Sequence, residues 1–126
     1  MRPIRPDMSQ TILVVDDDRH TRILLDRLLA KSASVSLAVD GAEARRLFAG
    51  DDFNLVLMDQ RLPDANGIDL LREFRAQRPQ LVGILMTGFA EVRDAVAAVR
   101  EGLFDYLTKP FEDLEALEAV IGKALE

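Results

Sequence analysis

The sequence predicts an α/β domain on a parallel sheet, and three observations predict it. Short apolar runs alternate with helix-period segments five times along the 126 residues. The runs at 12–15 and 55–58 are continuously apolar, as strands covered on both faces are. Four of the five runs also end near a carboxylate, a hydroxyl or an ammonium: Asp16-Asp17-Asp18, Asp59, Thr87 and Lys109. In a parallel sheet those ends share one edge, where open α/β sheets hold ligands.

The first strand is expected at 12–15. A helix from about 21 to 31 follows, with Leu24, Leu25, Leu28 and Leu29 on one face. The second strand, 35–39, closes on Asp40-Gly41, and the second helix buries Ala44, Leu47 and Phe48 before stopping near Gly50. After the strand at 55–58, Asn66-Gly67 opens a third helix that packs through Leu70, Leu71 and Phe74, with Pro79 as a break behind it. The fourth strand is 81–86. The fourth helix uses Val92, Ala95, Val96 and Val99 and ends at Gly102, a left-handed cap. The fifth strand is 104–107, with Phe104 and Phe111 read as core or rim packing. The last helix shows Leu114, Leu117, Ile121 and Leu125, with Asp113, Glu115 and Glu118 facing water. Right-handed crossovers leave few ways to connect these elements. Residues 1–9 read as a loose leader, with Met8 an alternative start, and residues 10–126 as one domain.

Composition narrows the function classes. A chain of this length fits one domain and buries roughly two-thirds of its unfolded surface. It has no cysteine, so it needs no disulfide framework and fits a reducing compartment. Its apolar runs are too short to span a bilayer, and the basic start has no apolar segment behind it to make a secretory signal. The expectation is a cytoplasmic protein without a membrane partner. The net charge of −6 and the lack of a basic patch argue against direct nucleic acid binding. Arg72, Arg75 and Arg78 read as a solvated helix face.

Asp16, Asp17 and Asp59 are the strongest functional signal. Two unit charges ~4 Å apart repel by about 4 kcal/mol at an effective dielectric near 20. That approaches the low end of a domain's whole stability, roughly 5–15 kcal/mol. A site gathering three carboxylates calls for a cation, and Mg²⁺ typically takes one or two carboxylates while keeping open positions for phosphate oxygens. Asp18 alone reads as a helix cap. Thr87 offers a hydroxyl to a phosphoryl oxygen, and Lys109 is a counter-charge that can bind one as well. Lys109 precedes Pro110, so its following bond can be cis. His20, the single histidine, reads as a surface residue.

With these residues in hand, the chain resembles the receiver domains of bacterial two-component response regulators. The matching segments are ILVVDDD at 12–18, LVLMDQRLPDANG at 55–67, MTG at 86–88 and DYLTKPF at 105–111. The resemblance implies a flavodoxin-like, doubly wound (βα)5 fold with strand order 2-1-3-4-5. It also implies that Asp59 is the phosphoacceptor. Mg²⁺ would be held by Asp17, Asp59 and the backbone carbonyl of Arg61 directly and by Asp16 through water. Thr87 and Lys109 would hold phosphoryl oxygens, and Tyr106 would be the switch aromatic. The side chains of Arg61 and Phe89 would border the path of attacking water and set the lifetime of the phosphorylated state.

The implied partners are a sensor histidine kinase and a downstream output domain, transcriptional by resemblance, with a homodimer face on the fourth and fifth helices. On this reading the chain catalyses only its own phosphorylation and dephosphorylation. Two readings compete with it. A stand-alone relay or binding receiver would lack a DNA output. A haloacid-dehalogenase-type phosphohydrolase would require Asp-x-Asp-x-Thr/Val, whereas 16–20 places His20 at the last position, and no cap domain is visible.

Overall fold

The computed structural model describes residues 10–88, 91–103 and 105–126. The expected leader, Phe89 and Phe104 lie outside them. Five strands, β1 (Thr11–Val15), β2 (Ser34–Ala38), β3 (Leu55–Asp59), β4 (Val82–Thr87) and β5 (Asp105–Thr108), alternate with α1 (Arg19–Leu29), α2 (Gly41–Gly50), α3 (Gly67–Gln77), α4 (Val92–Arg100) and α5 (Leu114–Ala124). All neighbouring strands are parallel, in the order β2-β1-β3-β4-β5. This is the doubly wound α/β arrangement expected from the sequence.

The period-2 alternation of the central strands divides the core into two layers. Leu13, Val15, Val56, Met58 and Leu85 face one way and meet Phe48, Ile68, Leu71, Phe74 and Ala95 from α2, α3 and α4. Ile12, Val14, Leu55, Leu57, Ile84 and Met86 face the other way and meet Leu25, Leu29, Leu117 and Ile121 from α1 and α5. The whole of β3 is buried. Leu28 and Leu125 are half-buried against the second layer, Leu24, Val92, Val96 and Val99 are half-buried, and Leu114 is exposed at 41%.

Element ends shift from the sequence reading for identifiable reasons. α1 starts at Arg19 because Asp18 accepts the His20 N–H at 3.1 Å and the Thr21 hydroxyl at 3.0 Å. β2 starts at Ser34, whose N–H meets the Gln10 carbonyl at 2.9 Å, and Val39 leaves the ladder because its N–H is taken by the Glu43 carboxylate. Thr87 belongs to β4, since its carbonyl accepts the Lys109 N–H at 2.8 Å.

The arginines on α3 are not a plain solvated face. Arg72 pairs with Asp69 and Glu101. Arg78 lies 4.1 Å over the Phe48 ring and donates to the Phe48 carbonyl at 2.6 Å, clamping the stacked Phe48–Phe74 pair. Gly102 is the one described residue with left-handed backbone, φ +123°, and a Cβ there would stand 3.0 Å from the Arg75 guanidinium. Gly102→Ala is therefore expected to lower unfolding free energy by about 1–2 kcal/mol, read from urea denaturation. A stability equal to that of the parent would rule out the strain.

Candidate functional site

Topology builds the site. From β1 the chain crosses to β2 on one side, then returns past β1 to β3. The carboxyl ends of β1 and β3 thus lie at the point where the winding reverses, and the crevice opens there. Val15 pairs with Met58, so Asp16 and Asp59 are the next residues of two adjacent strands. The site draws Asp16 and Asp17 from the end of β1, Asp59 from β3 and Lys109 from the loop after β5. Asp16, Asp17 and Asp59 each offer a carboxylate oxygen within 4.8 Å of the others. Asp16 is completely buried, Asp59 nearly so, and Asp17 is exposed.

Lys109 closes the group. Its ammonium is 2.5 Å from Asp16 Oδ2 and 3.5 Å from Asp59 Oδ1. The backbone holds it there through the Lys109 N–H bond to Thr87, and the Lys109–Pro110 bond is cis. One ammonium does not balance three carboxylates. Burial, with the Asp16 charge behind it, pushes the Asp59 carboxyl up to about 7, against the opposing pull of Lys109 and the Arg61 N–H. Burial also works against the Lys109 ammonium, but its bond to Asp16 and the two carboxylate charges prevail and hold it above its ordinary value. Asp16 Oδ1 accepts the Asp18 N–H at 2.9 Å, whereas the buried Asp16 Oδ2 is ion-paired with the Lys109 ammonium. Three carboxylates gathered within 4.8 Å around a single ammonium make an all-oxygen donor set with excess negative charge, which fits a hard divalent cation.

The remaining residues take less direct positions. Thr87 is buried at the end of β4, one residue beyond the Met86 that pairs with Asp59, and its hydroxyl donates to the Gly88 carbonyl at 3.1 Å. Tyr106 is half-buried against the α2–α3–α4 layer. The Arg61 side chain pairs with Glu91, with Nε 2.6 Å from Oε1. Phe89 lies outside the described residues. Asp18 is held below the usual carboxylate range mainly by the Thr21 hydroxyl, as a cap should be. His20 is exposed and lines, with Thr21, Leu24, Lys109 and Phe111, a groove of about 470 Å³ beside the site.

Sequence reasoning missed three residues that shape this crevice. Gly67 presses α3 against β3: its N–H donates to the Gln60 carbonyl at 2.8 Å, and a Cβ on it would stand 2.1 Å from the Asp59 carbonyl oxygen. Asp64 in the β3–α3 loop accepts the N–H groups of Gly41 and Ala42, and the Gly41 bond leads in lowering its pKa, so the loop is tied to the start of α2. Glu91 holds Arg61. The sequence signal for Gly67 was a glycine in the first helical turn, where the helix itself has no need of one. Asp64 and Glu91 carried no local signal.

Comparison with known proteins agrees with the geometry. The pattern of the response regulator receiver domain matches residues 12–121. The chain is 41% identical over 116 residues to the regulatory protein AtoC of Escherichia coli, covering 91% of this chain and 25% of that protein. It is 40% identical over 115 residues to the transcriptional regulatory protein ZraR of Escherichia coli, covering 90% and 26%. It thus spans about a quarter of these curated relatives. Among solved structures, the receiver domain of NtrX from Brucella abortus superposes with a TM-score of 0.84 at 32% identity, covering 90% of this chain and 97% of that one. A receiver domain protein from Clostridium thermocellum does so at 0.84 and 30%, covering 92% and 94%. No described helix is long and apolar enough to cross a membrane. With four motif segments, the doubly wound sheet and these relatives in agreement, the chain belongs to the response regulator receiver domains, the signalling domains of two-component systems.

Proposed function

We propose that this domain takes a phosphoryl group from a phosphohistidine of a sensor kinase onto an Asp59 carboxylate oxygen. The P–N bond to imidazole breaks as the P–O bond to Asp59 forms, and the imidazole nitrogen takes up a proton. The observation that carries the reading is the meeting of Asp16, Asp17, Asp59 and Lys109 at the reversal point of the sheet. A carboxylate is a weak nucleophile, so the rate must come from alignment and charge compensation. Asp59 is held in line by β3. Lys109, already between Asp16 and Asp59, neutralises charge on the incoming group. The Thr87 hydroxyl, bonded to its own backbone neighbour, can rotate to a phosphoryl oxygen. Asp17, Asp59 and the Arg61 carbonyl would hold Mg²⁺ directly, with Asp16 through water. Bound there, the ion would supply charge neutralisation and orientation of the phosphoryl oxygens.

Phosphorylation adds roughly −1.5 to −2 charge. Movement of Thr87 toward it would free space for Tyr106 and change the α4–β5–α5 surface, which is also the proposed dimer face. The state with phosphate must bind that rearrangement better than the state without, or no shift follows. The name of ZraR, a transcriptional regulatory protein, favours a transcriptional output over a stand-alone relay. Arg61 and Phe89 are proposed to tune the lifetime of the phosphorylated state.

The test is incubation with Mg²⁺ and a small acyl phosphate, followed by intact mass. The parent should gain the mass of one phosphoryl group and lose it again on standing, and Asp59→Asn should gain nothing. Labelling of Asp59→Asn equal to the parent, or catalytic release of phosphate from many esters, would overturn the assignment.

A further inference from the structure

We infer that Glu91 is a positioning residue for the reaction at Asp59: it holds Arg61 in the unphosphorylated domain and gives it up when charge arrives, so the Arg61–Glu91 pair couples the acceptor to α4. The inference rests on Asp59 being the acceptor. The pair joins the two segments that must communicate. Arg61 sits two residues beyond Asp59, and Glu91 sits at the entry of α4, its N–H bonded to the Gly88 carbonyl at 3.1 Å. The contact is anchored on the acidic side, since the Glu91 side chain is 17% exposed and the Arg61 side chain 80%. The second Glu91 oxygen lies over Gly88, 3.3 Å from where a Cβ on that glycine would stand, directly after Thr87. With the Glu91 N–H bonded to the Gly88 carbonyl, movement at Thr87–Gly88 would carry to Glu91.

Two features make this end of α4 ready to change. Asp18, Asp40, Asn66 and Asp113 each cap their helix through a side-chain bond, whereas Glu91 stands at the α4 cap position and makes none. Its carboxylate serves Arg61 instead. The residues α4 buries fully are the small Ala95 and Ala98, and its valines Val92, Val96 and Val99 are only half-buried, so the helix is fixed less firmly than α3, which buries Leu70, Leu71 and Phe74. A phosphoryl group on Asp59 attracts a guanidinium in a two-pronged contact and repels a carboxylate. Both forces open the pair, and the released Glu91 carboxylate is then free to favour the positive end of its own helix.

A double-mutant cycle of Arg61→Ala, Glu91→Gln and the double variant tests this, and none of the three removes the Arg61 carbonyl. In the unphosphorylated protein, each single change should raise amide exchange across α4 by about two- to five-fold, the size an exposed ion pair supports, and the double change no further. Unchanged exchange, or additive effects, would overturn the inference. With Mg²⁺ and a small acyl phosphate, Glu91→Gln should label faster than the parent and hold its label longer, because Arg61 is free for the phosphoryl group. Arg61→Ala should hold it for a shorter time. A parent that labels while Glu91→Gln matches it overturns the coupling alone. A parent that takes no label on Asp59 overturns the acceptor reading and the coupling with it.

Discussion

Gly67→Ala should cost the domain about 3 kcal/mol of stability and most of the phosphate labelling proposed for Asp59. A Cβ at this position meets the Asp59 carbonyl oxygen at 2.1 Å and both the Asp59 carbonyl carbon and Gln60 Cα at 2.9 Å. All three are backbone atoms, so no rotamer change relieves the overlap. β3 cannot retreat easily, because Asp59 is in register with Met86 of β4 and the Gln60 N–H is bonded to the Met86 carbonyl at 2.9 Å. α3 must then lift, and with it Ile68, Leu70, Leu71 and Phe74, which it buries in the layer beneath. Either movement displaces the Asp59 carboxylate from Lys109. Gly122 is the matched control: nothing lies within 4 Å of its Cβ position inside α5, so Gly122→Ala should be stabilising by about 0.5–1 kcal/mol. Urea unfolding and phosphate labelling of the two variants decide the matter. A Gly67→Ala protein as stable as the parent would show that the contact between α3 and β3 is not tight.

Much of the fold was legible because its signals are local. The continuous apolar runs at 12–15 and 55–58 are strands in the middle of the sheet, covered on both faces, and Gly102 is the left-handed end of α4 that its position suggested. Ends were less legible because competing partners set them. Val39 has the composition of a strand residue, yet a carboxylate four residues on takes its N–H. Arg78 looked like one charge among several on a helix, but its role depends on Phe48, thirty residues away, which no periodicity reveals.

The acidic site was legible for a related reason. A parallel sheet converts strand order into spatial proximity, so an acid at the end of each of two apolar runs already implies a meeting once those runs are neighbours. The strand order itself came from the resemblance and not from periodicity. What could not be seen was how the rim is held together. Asp64 reaches back to α2 and Arg61 across to Glu91, and both contacts depend on loop geometry that the sequence does not encode in any spacing. For Arg61 the difference matters. The sequence reading treated it as a large side chain bordering the site, and the structure adds that its guanidinium pairs with Glu91.

Without divalent cation, stability should fall as pH rises from about 4 to about 7, and Mg²⁺ should remove much of that fall. Asp59 ionises near 3.8 in an unperturbed chain and near about 7 in the folded site, first because it is buried and then because Asp16 is beside it. Between those values the unfolded chain has released the Asp59 proton while the folded chain still holds it. The folded state then binds more protons, so raising the pH favours unfolding. The contribution is fully present below the unfolded value, is lost through this window and changes no further above the folded one. A shift of this size corresponds to on the order of a few kcal/mol. A divalent cation held by Asp16, Asp17 and Asp59 favours the ionised carboxylates and brings the folded value back down, so the two states release their protons over nearly the same range. Urea unfolding at a series of pH values, with EDTA in one set and Mg²⁺ in the other, measures the effect as the difference between the sets, which cancels the titration of distant groups. Asp59→Asn should flatten the EDTA curve and shrink that difference. Identical pH profiles with and without Mg²⁺ would mean that the carboxylates settle their repulsion through Lys109 alone.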